Sequence, residues 1–360
     1  MKNSIKQKKI LIIRLTSLGD VIFTIPLACT LKENNSEIGW LVAEKGLEIV
    51  KNNPCVDKMH FAPLKEWKKR PLSLKTFQEF IQLIKEIRHE KYDIALDCQQ
   101  MFKNLFLFAF CGAKRRITFK DAREMSALGG NEFVIPRTKF TDFHYHIVER
   151  NLDFARHLGI KPEKVNFSLP NTSQEAKEKI NELTKDLDNS KPIVVISPAT
   201  TWKNKHWDED NWAKLIDEIH AKCNLVFTGT NADSALVERI LKTTTEEINY
   251  TNLVGKTNVE ELRELFSRAK IVISPDSGSA HLAWASGNPS VVAIFTCTPA
   301  KRFGPYGDDD KYFSISGVRD GLHCKPCFKK KCKIKAHNNK FACQKYPQPE
   351  EIINIVNNIL

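Results

Sequence analysis

Seven short apolar runs, each followed by a helical pattern, limit what this chain can become: residues 9–15, 38–42, 94–97, 193–197, 225–228, 271–274 and 290–294. An unbroken apolar run suits a strand covered on both faces, and strands alternating with helices build parallel sheets from βαβ units. The chain is therefore read as α/β. The runs fall into two sets, divided by a polar passage at 167–191 in which Leu169-Pro170-Asn171 leads into a charged helix at 172–187. Its 360 residues also exceed the roughly 250 to 300 at which single cores stop growing. Two doubly wound domains are expected, 1–171 and 172–345, with a cleft between the carboxyl ends of their sheets. A terminal helix over 346–360 is expected to pack back toward the N-terminal domain.

The formal net charge of +12 favours an anionic partner. No G-x-G-x-x-G follows a strand and no G-x-x-x-x-G-K-[ST] occurs, which disfavours nicotinamide dehydrogenases and P-loop NTPases. A basic nucleic-acid-binding protein is the alternative class, but no recognised nucleic-acid motif accompanies the charge, so no nucleic acid is expected as partner. No apolar run approaches the roughly 20 residues that span a bilayer. Lys2, Lys6, Lys8 and Lys9 before Ile10 imitate a signal peptide, but Arg14 and Asp20 interrupt the apolar stretch, so this is read as the first strand of a cytoplasmic protein. Cys29, Cys55, Cys98, Cys111, Cys223 and Cys297 are scattered in apolar or mixed surroundings and are read as reduced.

Chemistry concentrates where strands end. After Ile10-Leu11-Ile12-Ile13 comes Thr16-Ser17-Leu18-Gly19-Asp20, a small-residue turn that sets a carboxylate beyond a strand's carboxyl end, where an acid can act as a base or merely cap a helix. After Ile271-Val272-Ile273, the turn Asp276-Ser277-Gly278-Ser279 with His281 offers backbone N–H groups at a helix start, an anion site unless Asp276 or Ser277 simply caps the helix. Thr200 and Thr201 with Lys205 follow another strand and suit a phosphate whose charge grows as it leaves. The first half supplies basic groups: Lys68, Lys69 and Arg70 beside Trp67, then Arg115, Arg116, Lys120 and Arg123, all readable as a solvated face or as a receptor for an acidic acceptor. His146 and Arg150 are expected to share a helical face.

Taken together, these residues resemble the ADP-heptose:lipopolysaccharide heptosyltransferases over nearly the whole chain. The most specific matches are Thr16 to Val21, Thr200-Thr201 with Lys205-His206-Trp207, and Asp276-Ser277-Gly278 with His281, in the family's order. Within it the basic loop at Trp67, Tyr92-Asp93 leading to Asp97 and Lys103, Ala122-Arg123-Glu124 and His146 to Arg150 are most similar to heptosyltransferase I, which adds the first heptose to Kdo on lipid A. The resemblance implies a GT-B fold of two Rossmann-like domains, the N-terminal one binding acceptor and the C-terminal one nucleotide sugar. It implies inverting, metal-independent transfer from ADP-heptose to Kdo-lipid A without a cofactor, by a monomer held peripherally at the cytoplasmic face of the inner membrane. Asp20 would be the base. Thr200, Thr201, Lys205, Asp276, Ser277, Gly278, Ser279 and His281 would serve the donor, and Ser17, Gly19, Lys68, Lys69, Arg70, Arg123 and His146 the acceptor. The alternative within the family is a later heptose or another nucleotide sugar.

Two features depart from the family pattern. Where similar enzymes carry a carboxylate for the nucleotide ribose, this chain has Gly229-Thr230-Asn231-Ala232-Asp233, which leaves Asn231 and Asp233 as candidates. Cys324, Cys327, Cys332 and Cys343 open like a zinc site but lack its second paired spacing; no metal is assigned, and reduced or paired thiols are the alternative.

Overall fold

The computed structural model describes residues 7–122, 124–139, 142–307, 310–317, 327 and 341–360. Arg123, Cys324 and Cys332 therefore lie outside the described residues. The chain divides into two compact units, 1–171 and 172–360.

The first unit contains β1 (Lys9–Ile13), β2 (Glu37–Val42), β3 (Lys58–Phe61), β4 (Ile94–Asp97), β5 (Arg115–Phe119) and β6 (Glu132–Val134). All pair in parallel, in the order β3-β2-β1-β4-β5-β6. Its helices are α1 (Leu18–Ile22), α2 (Ile25–Glu33), α3 (Leu47–Val50), α4 (Leu64–Lys69), α5 (Leu74–His89), α6 (Leu105–Phe110) and α7 (Ile147–His157). β1 is central because Ile10, Leu11, Ile12 and Ile13 are all 0% exposed, so neither face needs a polar residue. α5 starts where Ser73 accepts a bond from the Thr76 N–H (3.1 Å), and buries Leu83, Ile84 and Ile87 on one face.

The second unit repeats the plan with β7 (Ile193–Ile196), β8 (Asn224–Phe227), β9 (Tyr250–Asn252), β10 (Ile271–Pro275), β11 (Ser290–Phe295) and β12 (Tyr312–Ser316). These are also all parallel, in the order β12-β11-β10-β7-β8-β9. Its helices are α8 (Gln174–Leu183), α9 (Glu209–Ile219), α10 (Ser234–Thr243), α11 (Val259–Arg268), α12 (Gly278–Ser286), α13 (Ala300–Phe303) and α14 (Pro349–Ile359). Each sheet reverses its strand order once, between β1 and β4 and between β7 and β10. Beyond the carboxyl ends of the strands at such a reversal is the place where open α/β sheets bind ligands.

The terminal helix α14 packs on α9, and its Ile352 and Val356 join the second unit's own core. One expectation is corrected. Cys29 and Cys55, expected to be reduced, form a disulfide, because α2 and the turn before β3 converge to a Cα separation of 4.9 Å. Among the described residues, no helix is long and apolar enough to cross a membrane.

Candidate functional site

In the first unit the β1 and β4 loops meet around Asp20. Ser17 is the N-cap of α1, and its N–H and hydroxyl both donate to Asp20 Oδ2 at 3.1 Å. Asp20 is thus the third helical residue of a capping box, while its side chain keeps 38% exposure, open enough to meet another molecule. Gly19 is buried beside it. Arg14, almost fully buried, brings Nη1 to 3.9 Å from Asp20 Oδ1 and donates to Thr24 Oγ1 (3.1 Å) and Asn151 Oδ1 (3.2 Å). Thr24 in turn donates to the Asp20 carbonyl at 2.8 Å, so the cation is anchored by neutral partners and its charge bears on the carboxylate. From β4, Gln99 Oε1 accepts the N–H groups of Leu15 (2.9 Å) and Thr16 (3.0 Å), and Lys103 donates to Thr16 Oγ1. Burial lowers the Lys103 pKa, opposed by the carboxylates of Asp20 and Glu124.

The other acceptor candidates are separate from this turn in character. Lys68 and Lys69 are exposed on α4, with Lys69 donating to Glu66 at 2.7 Å. Arg70 Nη2 donates to both carboxylate oxygens of Glu79 (2.8 and 2.9 Å), which also accepts from Trp67 Nε1 at 3.0 Å, so Arg70 fastens α4 to α5. His146 is the N-cap of α7, its Nδ1 accepting the Val148 N–H at 3.2 Å, and Arg150 is buried over Phe119 with Asp121 at 2.5 Å. The expected shared face is corrected: His146 stands outside the helix that holds Arg150.

In the second unit the β7 and β10 loops converge on Asp276, which is 4% exposed. Lys205 Nζ lies 2.6 Å from its Oδ2, Thr298 Oγ1 donates to the same oxygen at 2.5 Å, and His281 Nε2 is 3.3 Å from Oδ1. Burial alone would raise the Asp276 pKa, but Lys205 and His281 outweigh it and hold the carboxyl well below the usual range. Thr200 Oγ1 donates to the Asp276 carbonyl at 3.1 Å, and the Lys205 ammonium sits 4.9 Å from the Trp202 ring centroid. Thr201 is exposed on the same loop. At the start of α12, Ser277 Oγ accepts the N–H groups of Ser279 (3.2 Å) and Ala280 (3.5 Å), so the Gly278-Ser279 turn carries its own cap and any arriving anion competes with a weak, replaceable one.

Three contributors have no signature in sequence. Thr298 reaches Asp276 from beyond β11; Gln99 fixes the Asp20 turn; and the segment 341–348 fastens the Lys205 loop. In that segment Gln344 donates to the Lys203 carbonyl (2.8 Å) and accepts from the Asp208 N–H (3.0 Å), while Pro347 accepts from Trp207 Nε1 at 2.8 Å. Of the ribose candidates, Asp233 accepts the Thr230 N–H and hydroxyl, both at 2.7 Å, and caps its own turn. Asn231 lies against Gly255, whose φ of +74° and lack of a side chain both suit the close approach. Cys343 is buried and its thiol donates to the Asn204 carbonyl at 3.8 Å; among the described residues no three His, Cys, Asp or Glu side chains gather as metal ligands.

Comparison with known proteins bears on the family and the fold. The profile of glycosyltransferase family 9 (heptosyltransferase) matches residues 80–337. Lipopolysaccharide heptosyltransferase 3 of Escherichia coli K12 is 27% identical over 81% of this chain and 83% of its own. Lipopolysaccharide heptosyltransferase 1 of the same strain is 25% identical over 83% of this chain and 91% of its own. The crystal structure of a family 9 glycosyl transferase from Veillonella parvula superposes with a TM-score of 0.79 at 18% identity, covering 99% of this chain and 98% of that one, so the fold is GT-B, two Rossmann-like units. With a family match spanning well over half its residues, and with both strand-order reversals furnished as described, this chain belongs to glycosyltransferase family 9, the heptosyltransferases.

Proposed function

We propose that the protein transfers L-glycero-D-manno-heptose from ADP-heptose to Kdo of Kdo-lipid A, with inversion and without a metal, as a monomer held peripherally at the cytoplasmic face of the inner membrane. The observation that carries this reading is the division of chemistry between two strand-order reversals, a partly exposed carboxylate at one and a partly buried, charge-paired ammonium at the other. Asp20 accepts the proton of the acceptor hydroxyl as that oxygen bonds to the sugar's anomeric carbon. The bond from that carbon to the diphosphate breaks on the opposite face, and the electron pair leaves with ADP. Lys205, oriented by ionised Asp276, and the Thr200 and Ser277 turns meet the charge that grows on the departing phosphate.

The choice of the first heptose is supported by the Trp67 loop, which Glu79 holds as a defined basic hairpin. The competing reading is a later heptose or another nucleotide sugar, favoured by the similarity to heptosyltransferase 3. Purified protein incubated with Kdo-lipid A, with its heptosylated form and with a panel of nucleotide sugars distinguishes them by mass spectrometry. A mass gain of one heptose on Kdo-lipid A with ADP-heptose is expected; gain only on the heptosylated acceptor would assign the later step.

A further inference from the structure

Across the turn Phe102–Asn104 and α6, Phe102, Phe106 and Phe110 recur at four-residue spacing and share one face. Ring centroids are 6.2 Å apart for Phe102 and Phe106 and 6.3 Å for Phe106 and Phe110, the latter pair stacked with planes 11° apart. Each ring is about half exposed, whereas Leu107 and Phe108 on the other side are buried. The turn Ser126–Gly129 packs on that inner side, with Gly129 against Leu105 and Phe108, and the exposed Met125 and Leu128 extend the apolar surface. Among the described residues, every large exposed apolar side chain belongs to the first unit, with the exception of Tyr250. A contiguous apolar surface of this kind lowers solubility without aiding the fold, and so marks an interaction site.

Charge identifies the occupant. Lys114 is exposed just past α6, Arg116 donates to the carbonyls of Ala113 (3.2 Å) and Gly129 (2.8 Å) with part of its surface in water, and Arg88 lies against Gly112. The carboxylates of the region are engaged: Glu124 accepts the Phe102 N–H at 3.1 Å, and Glu132 accepts from Arg115 at 2.7 and 2.8 Å. Aromatic rings bordered by cations match the boundary of an anionic bilayer, where rings enter the headgroup layer and Lys and Arg meet lipid phosphates. The column also starts beside Lys103, whose ammonium bonds Thr16 in the Asp20 turn.

We infer that the Phe102–Phe106–Phe110 column docks the first unit onto an anionic phospholipid bilayer and presents the Asp20 turn to a lipid-linked sugar. The inference rests on the reading of the acceptor as lipid-borne and names the surface that reaches it. The test uses the full chain with vesicles of phosphatidylethanolamine and phosphatidylglycerol, against phosphatidylcholine vesicles, in flotation assays. Wild type should partition onto the anionic vesicles, and F106S/F110S should lower that partition about tenfold with thermal unfolding unchanged. F106W/F110W should retain binding, because Trp keeps a ring suited to the interface. With Kdo-lipid A in vesicles, F106S/F110S should raise the apparent KM, and with a deacylated, water-soluble acceptor it should match wild type.

Wild type that ignores anionic vesicles, or F106S/F110S that floats as well as wild type, would overturn the inference. So would equal loss on the soluble acceptor, or a wild-type dimer that F106S/F110S dissolves while vesicle binding persists, since the occupant would then be a second copy of the chain. Transfer without vesicle binding removes only the docking surface; vesicle binding through Phe106 and Phe110 without any heptose transfer removes the proposed activity and leaves the surface.

Discussion

Lys205 Nζ and Asp276 Oδ2 stand 2.6 Å apart in a setting where the carboxylate is almost wholly buried and the ammonium nearly so. A pair so desolvated is sensitive to losing one member, because the survivor keeps its burial without its partner. Lys205→Ala is expected to cost about 3 kcal/mol in urea unfolding and to weaken ADP binding in calorimetry. Lys205→Met with Asp276→Leu should be more stable than Lys205→Ala and still inactive. If the double variant unfolds more readily than the single, the pair is not the electrostatic unit described.

Asp20→Asn should lower kcat about 1,000-fold, the range in which a positioned base contributes. Asn retains an oxygen to accept from Ser17, so α1 keeps its cap and the melting temperature should move little. Activity within threefold of wild type would remove Asp20 from the base role.

The basic hairpin at Trp67 should separate into two kinds of residue. Lys68→Ala with Lys69→Ala is expected to raise the acceptor KM, weaken its salt dependence and leave the donor KM unchanged. Arg70→Ala should instead loosen the hairpin, because Glu79 loses the Nη2 donor that reaches both its oxygens, and this shows as faster proteolysis between α4 and α5. A donor KM that rises in the lysine variant would contradict the division of roles.

Much of this organisation is legible in the sequence, for a physical reason. Strands buried on both faces must be apolar throughout, so β1, β4, β7 and β10, which flank the two reversals, stand out as runs, and the Asp20, Lys205 and Asp276 turns follow them directly. β3, β9 and β12 lie at or toward sheet edges where polar side chains are tolerated, and Tyr250–Asn252 has no apolar alternation to read. β5 is paired on both sides but opens on Arg115-Arg116, whose side chains stay partly in water, so it does not stand out as an apolar run. Contacts made by folding alone, such as Thr298 with Asp276 or Cys29 with Cys55, carry no local pattern, because each partner's neighbours would look the same without the contact.

Chelation should leave transfer intact. The groups proposed to meet the departing phosphate are an ammonium, hydroxyls and backbone N–H donors, none of which is removed by EDTA. Loss of activity with EDTA that magnesium or manganese restores would show that a divalent ion shares this task.

Acid should destabilise the first unit through Glu132. Its hydrogen bonds from Arg115, against some burial and with help from His157, bring its pKa down from 4.5 to about 2. The folded state thus holds the proton less tightly than the unfolded chain, so this contribution is complete above pH 4.5 and fades as pH falls toward 2. Urea midpoints of Glu132→Gln should fall less steeply than wild type across that interval, by a modest amount because solvent screens the pair. Parallel curves would exclude Glu132 as a source of the slope.

The segment that fastens the Lys205 loop has a bearing on how the enzyme comes into being at the ribosome. Gln344 and the Lys203 carbonyl it binds are separated by 141 positions, and Trp207 waits for Pro347 over 140. Since chains emerge from the N-terminus and domains fold as units while they do, the Asp20 turn gains all its partners by Asn151, whereas the Lys205 loop is translated long before its fasteners. A stalled or prematurely terminated chain would therefore display a finished Asp20 turn and a Lys205 loop with nothing to hold it.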